Sequence, residues 1–127
     1  LVQQVGPVNK NSGNWNSFDA QTIEEKKKSQ SVFIDFTASW CITCQVNKRA
    51  VLDTEEIQAL FRQNKVYLVR ADWTNHDEQI TKALKRYQRN SVPVYVFFNK
   101  ETGQEVLLSE ILVKDDIRNL FQTGGSQ

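Results

Sequence analysis

An apolar run, Val32-Phe33-Ile34-Asp35-Phe36, leads into Trp40-Cys41-Ile42-Thr43-Cys44, and a helix-like stretch, Gln45-Val46-Asn47-Lys48-Arg49, follows. These are the only two cysteines in 127 residues. A dithiol where a strand hands over to a helix constrains both fold and chemistry. The first turn of a helix offers unpaired backbone N–H groups and the positive end of the peptide dipole, and both favour thiolate over thiol. The thiolate is the nucleophile, so this position activates one sulfur. The second, one turn later, is close enough to close a disulfide and expel a bound partner.

Other uses of the pair are weaker. A zinc site usually takes four ligands, and the chain has no further Cys and a single His, His76. A purely structural disulfide would close a very short loop and constrain little of the unfolded chain. A Cu(I) carrier would use two soft thiolates, but the chain has no Met to join them and His76 is distant in sequence. Two inert, buried thiols would leave a redox-inert adaptor. No metal site and no cofactor are assigned.

The length is that of one domain with a real core. A net charge of +1 gives no global field that favours nucleic acid or a membrane surface. The one basic run, Lys26-Lys27-Lys28, follows Glu24 and Glu25 and reads as the solvated end of a helix. No stretch approaches the roughly 20 apolar residues of a transmembrane helix. No signal peptide is visible. The chain begins with Leu1 rather than Met, which predicts a processed product or an excised piece of a longer protein.

Residues 1–16 are polar, with Pro7, and read as a partly flexible lead-in with room for one short strand. Residues 17–122 form the domain, and 123–127 a flexible tail. Within the domain Ser17 is expected to cap a helix running to about Ser29. Val32 to Thr37 reads as a buried strand, with a helix from Cys41. Asp53 opens Asp-Thr-Glu-Glu, a capping-box spacing before a further helix. Val66 to Trp73 reads as a strand, Asn75 as the cap of the next helix, and Val94 to Phe98 as a strand. Lys100 to Gly103 is a hairpin turn with Glu105 to Leu108 as its return, and a last helix covers Lys114 to Phe121. Alternating strands and helices predict an α/β fold, a sheet covered on both faces. Cys41 then lies at the carboxyl end of a central strand, where such sheets place their chemistry.

This arrangement resembles thioredoxin. Trp40-Cys41-x-x-Cys44 opens a helix after a strand, Asp35 lies on that strand, and Pro93 in Ser91-Val92-Pro93 precedes another strand. A narrower resemblance is to the C-terminal domain of the DsbD thiol:disulfide interchange family. It is carried by Val32 to Asn47, by Ala71-Asp72-Trp73-Thr74-Asn75, by Val92-Pro93-Val94-Tyr95-Val96 and by Ser109-Glu110-Ile111-Leu112. The resemblance implies a thioredoxin-like fold, a central mixed sheet with helices on both faces. It also implies a periplasmic location, as one domain of a bacterial inner-membrane protein. Electrons would come from that protein's own transmembrane domain and pass to its N-terminal periplasmic domain, then to disulfide isomerases and cytochrome c maturation proteins. The excised domain is expected to be a monomer.

On this reading Cys41 is the exposed attacking sulfur and Cys44 the buried resolving thiol. Asp35 shares a strand face with Phe33 and Thr37, is expected to be buried with a raised pKa, and relays the proton of Cys44. The resemblance implies a cis Val92–Pro93 bond that presents the Val92 backbone to an extended segment of a partner. Trp40, Ile42 and Val92 form an apolar rim around Cys41, suited to docking proteins. Some family members carry a Glu one turn after the second cysteine; here that position is Lys48, whose charge favours thiolate. His76 is read as a surface residue in a helical first turn without a role, and Trp73 and Thr74 as structural support. An oxidase or isomerase on the same fold is the nearest rival, and the absence of a His between the cysteines argues against a strong oxidant.

Overall fold

In the computed structural model, residues 14–122 are described, so most of the expected lead-in and all of the expected tail lie outside the described residues. The chain folds as a five-stranded mixed sheet. The strands are β1 (Asn16–Ser17), β2 (Val32–Thr37), β3 (Tyr67–Asp72), β4 (Val94–Phe98) and β5 (Glu105–Leu107). Their order across the sheet is β1-β3-β2-β4-β5. β3 runs parallel to both β1 and β2, while β4 pairs antiparallel with β2 and with β5. β2 is therefore central and buried along its whole length. The helices are α1 (Ala20–Lys27), α2 (Ile42–Asn47), α3 (Glu55–Gln63), α4 (Glu78–Arg86) and α5 (Lys114–Arg118). Among the described residues no helix is long and apolar enough to cross a membrane.

Two apolar layers hold the helices to the sheet. On one face Ile34, Phe36, Val69 and Val96 pack against Ile23 of α1 and Ile80, Ala83 and Leu84 of α4. On the other, Phe33, Leu68, Tyr95 and Phe97 pack against Ile57 and Phe61 of α3 and Ile117 of α5. Each fully buried side chain of this size contributes about 1.5–3 kcal/mol of transfer free energy. Trp15 joins the second layer, edge-on to Phe33 and Phe61.

Helix starts differ from the expected ones in three places. Ser17 does not cap α1; it pairs with Arg70 in the sheet, and the Asp19 carboxylate accepts the Thr22 N–H instead. Thr54, not Asp53, caps α3 by accepting the Ile57 N–H. Asp77, not Asn75, caps α4. His76 accordingly precedes that helix rather than lying in its first turn. Its φ of 55° is left-handed, a conformation that a helical turn cannot contain. Of the three lysines at the end of α1, Lys28 is exposed as expected and pairs with Glu25, whereas Lys27 is largely covered, lying over Phe98 and pairing with Glu24 and Glu105, and Lys26 lies over Tyr67. Gly103, at φ 76°, closes the hairpin turn with its N–H on Asn99 O, a backbone that only glycine adopts freely.

α2 does not end cleanly. It continues into a π-helical turn, Lys48–Leu52, closed by the Asp53 N–H on Lys48 O at 2.8 Å. Single π turns inside helices recur at functional sites because they re-aim the residues that follow. Here the turn is followed by Asp53, whose carboxylate reaches Arg70 of β3.

Candidate active site

Cys41 is the N-cap of α2, in an extended conformation at the carboxyl end of β2. It is joined to Cys44 in a disulfide, with Cα atoms 5.3 Å apart. Cys41 Sγ accepts the Cys44 N–H at 3.1 Å. An N–H aimed at this sulfur stabilises negative charge on it once the bond is reduced. Cys44 is fully enclosed, whereas Cys41 retains 8% of its surface. Cys44 is the more enclosed of the two as expected, but Cys41, expected to be exposed, is itself buried in the disulfide form.

The residues expected to form a rim lie next to Cys41 in sequence or in space. Trp40 is 52% exposed and Ile42 80%, while Val92 packs beside both cysteines. The Val92–Pro93 bond is cis. The Val92 carbonyl oxygen lies 3.9 Å from Cys41 Sγ. Trp40 is held in place by the segment after β3: its indole N–H donates to Thr74 O at 3.0 Å, and Thr74 Oγ1 accepts the Ser39 N–H at 2.8 Å. The Trp73 indole N–H donates to Thr81 Oγ1. His76, expected to be a surface residue without a role, stacks on Trp40 with ring centroids 5.9 Å apart and 18° between planes, and meets Trp73 edge-on.

Asp35 is completely buried. It lies on the sheet face that α2, the π turn and α3 cover. Its Oδ2 accepts Arg70 Nε at 2.8 Å, in register across β2 and β3. Its Oδ1 finds no partner among the described residues, nor does Thr37 Oγ1, two residues along the same face. Burial pushes the Asp35 carboxyl above its ordinary value of 3.8; Arg70 and more weakly Lys48 pull it back, and Asp53 adds to the push. Burial is the largest influence and prevails; Arg70 meanwhile also pairs with Asp53. Asp35 thus holds its proton more tightly than usual on the strand that leads into the cysteine motif. Lys48, one turn after Cys44, is half-buried; burial and the Arg70 charge lower its pKa, while Asp35, Asp53 and Asp72 oppose the shift.

Four residues near the site escaped the sequence reading. Arg70 and Asp53 form the ion-pair chain just described. Trp15 lies under Arg70 and donates its indole N–H to Asp53 Oδ1 at 3.1 Å. Asn47 is buried: its Nδ2 donates to Tyr95 OH and to Glu110 O, each at 2.8 Å, and its Oδ1 accepts the Leu112 N–H. It thereby ties the segment before α5 to the end of the redox helix. Burial and the nearby Asp35 charge raise the Tyr95 phenol pKa. One signal for Arg70 was present. It interrupts an apolar strand as Asp35 interrupts another, and opposite charges inside neighbouring strands tend to pair. Among the described residues, no three His, Cys, Asp or Glu side chains gather as a metal site.

The sequence profile of the family described as thioredoxin-like matches residues 14–100. The thiol:disulfide interchange protein DsbD of Campylobacter jejuni is 27% identical over 103 residues, 80% of this chain and 18% of that protein. DsbD 1 of Pseudomonas aeruginosa is 34% identical over 80 residues, 63% of this chain and 13% of that protein. The chain thus spans less than a fifth of these curated relatives. Among solved structures, the oxidised C-terminal domain of Neisseria meningitidis DsbD superposes with a TM-score of 0.63 at 18% identity, covering 81% of this chain and 93% of that one. A thioredoxin from Thermus thermophilus superposes with a TM-score of 0.66 at 16% identity, covering 89% and 92%. The two superpositions establish a common fold.

Proposed function

The chain belongs to the thioredoxin-like family, and from that premise we propose that its thiol:disulfide oxidoreductase activity runs in the reducing direction, as one domain of a larger electron-transfer protein. The observation that carries the reading is the Cys41–Cys44 disulfide at the β2–α2 junction, with Cys41 Sγ on the Cys44 N–H and Cys41 the less enclosed of the two cysteines. In the reduced domain the Cys41 thiolate attacks one sulfur of a partner disulfide. A mixed disulfide forms and the partner's other sulfur leaves as a thiol after taking a proton. Cys44, giving its proton to Asp35, then attacks Cys41 Sγ and releases the second partner thiol. Two electrons pass to the partner, whose two sulfurs take up one proton returned by Asp35 and one from solvent, the latter replacing the proton Cys41 lost on ionising; the Cys41–Cys44 bond is the oxidised product. No cofactor enters this sequence.

The apolar rim of Trp40, Ile42 and Val92 suits a protein substrate, and the Val92 carbonyl beside Cys41 suits pairing with an extended segment. Pro93 fixes the backbone that presents it. The likeness to DsbD proteins supports the finer reading: a periplasmic domain of a bacterial inner-membrane protein, reduced by its own transmembrane domain. Its acceptors would be the N-terminal periplasmic domain and, through it, disulfide isomerases and cytochrome c maturation proteins.

The midpoint potential of the cysteine pair tests the direction, with Trp40 fluorescence as a reporter. A value near that of thioredoxin, about −270 mV, or in the range of the reducing thiol proteins somewhat above it, is expected. A value near about −120 mV marks an oxidant and overturns the proposal.

A further inference from the structure

Arg70 is the only cation within hydrogen-bonding reach of Asp35 among the described residues, and its guanidinium is engaged on three sides. Nε donates to Asp35 Oδ2 at 2.8 Å. The two terminal nitrogens face the Asp53 carboxylate, NH2 to Oδ1 at 3.2 Å and NH1 to Oδ2 at 3.5 Å. The guanidinium carbon sits 4.0 Å from the centroid of the Trp15 ring. Trp15 also donates to Asp53 Oδ1, so ring and carboxylate brace each other. Arg70 keeps only 14% of its side-chain surface, and Asp53 16%. A planar fork held edge and face in this way has one pose.

We propose that Asp53 and Trp15 are positioning residues for the redox site: they hold and share the Arg70 guanidinium, and so set how much of its charge reaches Asp35 on the strand that leads into the cysteine pair. The geometry stands independently of the reductase reading. Its consequence for redox chemistry rests on that reading. Asp53 enters the chain directly after the π turn that begins one helical turn beyond Cys44, and Trp15 precedes the first strand, so the site reaches residues remote from Cys41 in sequence. The charged and titratable groups facing Asp35 are Arg70 of β3, Lys48 and Asp53 from the π turn and its end, and Tyr95 of β4; Asp72 faces it only through Lys48.

The two residues act with opposite signs. Asp53 competes for Arg70 and repels Asp35. In Asp53→Asn the amide oxygen still accepts from the guanidinium, but the competing charge is gone, so Arg70 favours the Asp35 carboxylate more. Trp15 is the wall that keeps Arg70 in place. In Trp15→Leu the packing on Phe33 and Phe61 is largely kept, the stack is lost, the guanidinium turns to solvent and Asp35 loses its cation.

The test is a carboxyl-carbon NMR titration of Asp35 in the oxidised protein, with the midpoint potential followed against pH in the same variants. Asp53→Asn should move the Asp35 titration to lower pH and Trp15→Leu to higher pH. The bend that Asp35 puts into the potential-versus-pH plot should move with each. An unmoved titration, or shifts of the same sign, overturns the proposal. A titration that moves while the bend stays overturns the link to the cysteines. If Trp15→Leu does not fold, the sign of the Asp53→Asn shift decides alone. A protein with no titratable dithiol refutes the proposed reductase function while leaving the carboxyl shifts to be read.

Discussion

On the α1–α4 side of the sheet, Ile34, Phe36, Val69 and Ala71 meet Ile80, Ala83 and Leu84 in an apolar layer. On the opposite side the same strands turn Asp35, Thr37 and Arg70 toward the helix that carries the cysteines. Among the described residues the four buried polar side chains, Asp35, Thr37, Asn47 and Gln58, all belong to this second side. A buried carboxyl whose second oxygen lacks a donor costs stability, since desolvation is not repaid by hydrogen bonds. The two faces of β2 therefore differ. Both are held by apolar packing, but only the second also encloses the Asp35–Arg70 cluster, at some cost in stability. If that difference matters, substitutions in the apolar layer should change stability alone, and those in the polar cluster should also change local structure or proton binding.

The largest effect falls on the cysteines. Cys44→Ser should abolish turnover with a disulfide-bonded peptide and leave a mixed disulfide on Cys41, seen by mass spectrometry. Unfolding in urea should move much less than for a core truncation. Turnover that survives would break the comparison at its centre, because the chemistry would then not need the resolving thiol.

Next in size is Leu84→Ala on the apolar side. It should cost about 2–5 kcal/mol of stability by urea unfolding, with the potential of the cysteine pair unchanged in the folded protein. A shifted potential would mean that the two faces are coupled. Asn47→Ala, on the polar side, should cost about 1–3 kcal/mol, because Tyr95 OH, Glu110 O and Leu112 N–H lose their shared partner. Unlike Leu84→Ala, it should also speed hydrogen exchange locally at Leu112, which sharpens the contrast between a packing residue and a tie.

The apolar side was the easier one to read in advance. β2 and β4 match the expected Val32–Thr37 and Val94–Phe98 residue for residue, because a short apolar run bounded by polar residues has few other ways to be buried. Cys41, Cys44 and Asp35 were legible for a related reason. Two thiols at a strand–helix junction, and one charge inside an apolar strand, stand out locally. Helix starts were not, since Ser17, Asp19, Asn75 and Asp77 are all good caps, and only the sheet pairing of Ser17 and the left-handed turn at His76 choose among them. The clamp on Asp35 was hidden more deeply. Arg70 is 35 residues away in sequence from Asp35 and 17 from Asp53, and their meeting depends on a strand register and a π turn that no local pattern states.

The smallest and most diagnostic effect is that of Asp35→Asn on stability as pH changes. Burial holds the folded carboxyl above its ordinary 3.8, so the folded state binds this proton more tightly than the unfolded chain does. The favourable contribution is complete below about 3.8 and is lost as pH rises through the folded pKa. Asn does not titrate and has nearly the shape of the protonated acid, so the variant should match the parent at low pH and gain on it through this window. Above it the variant should be more stable by about 1 kcal/mol, the low end of what replacing a buried ion pair yields. Arg70 is not orphaned by the change, because Asp53 still pairs with it. Urea unfolding at a series of pH values measures the gap. A gap that opens in the reverse sense, with the parent gaining on Asn as pH rises, would mean that Arg70 outweighs burial at Asp35. The polar face would then add to stability where the comparison has it subtract.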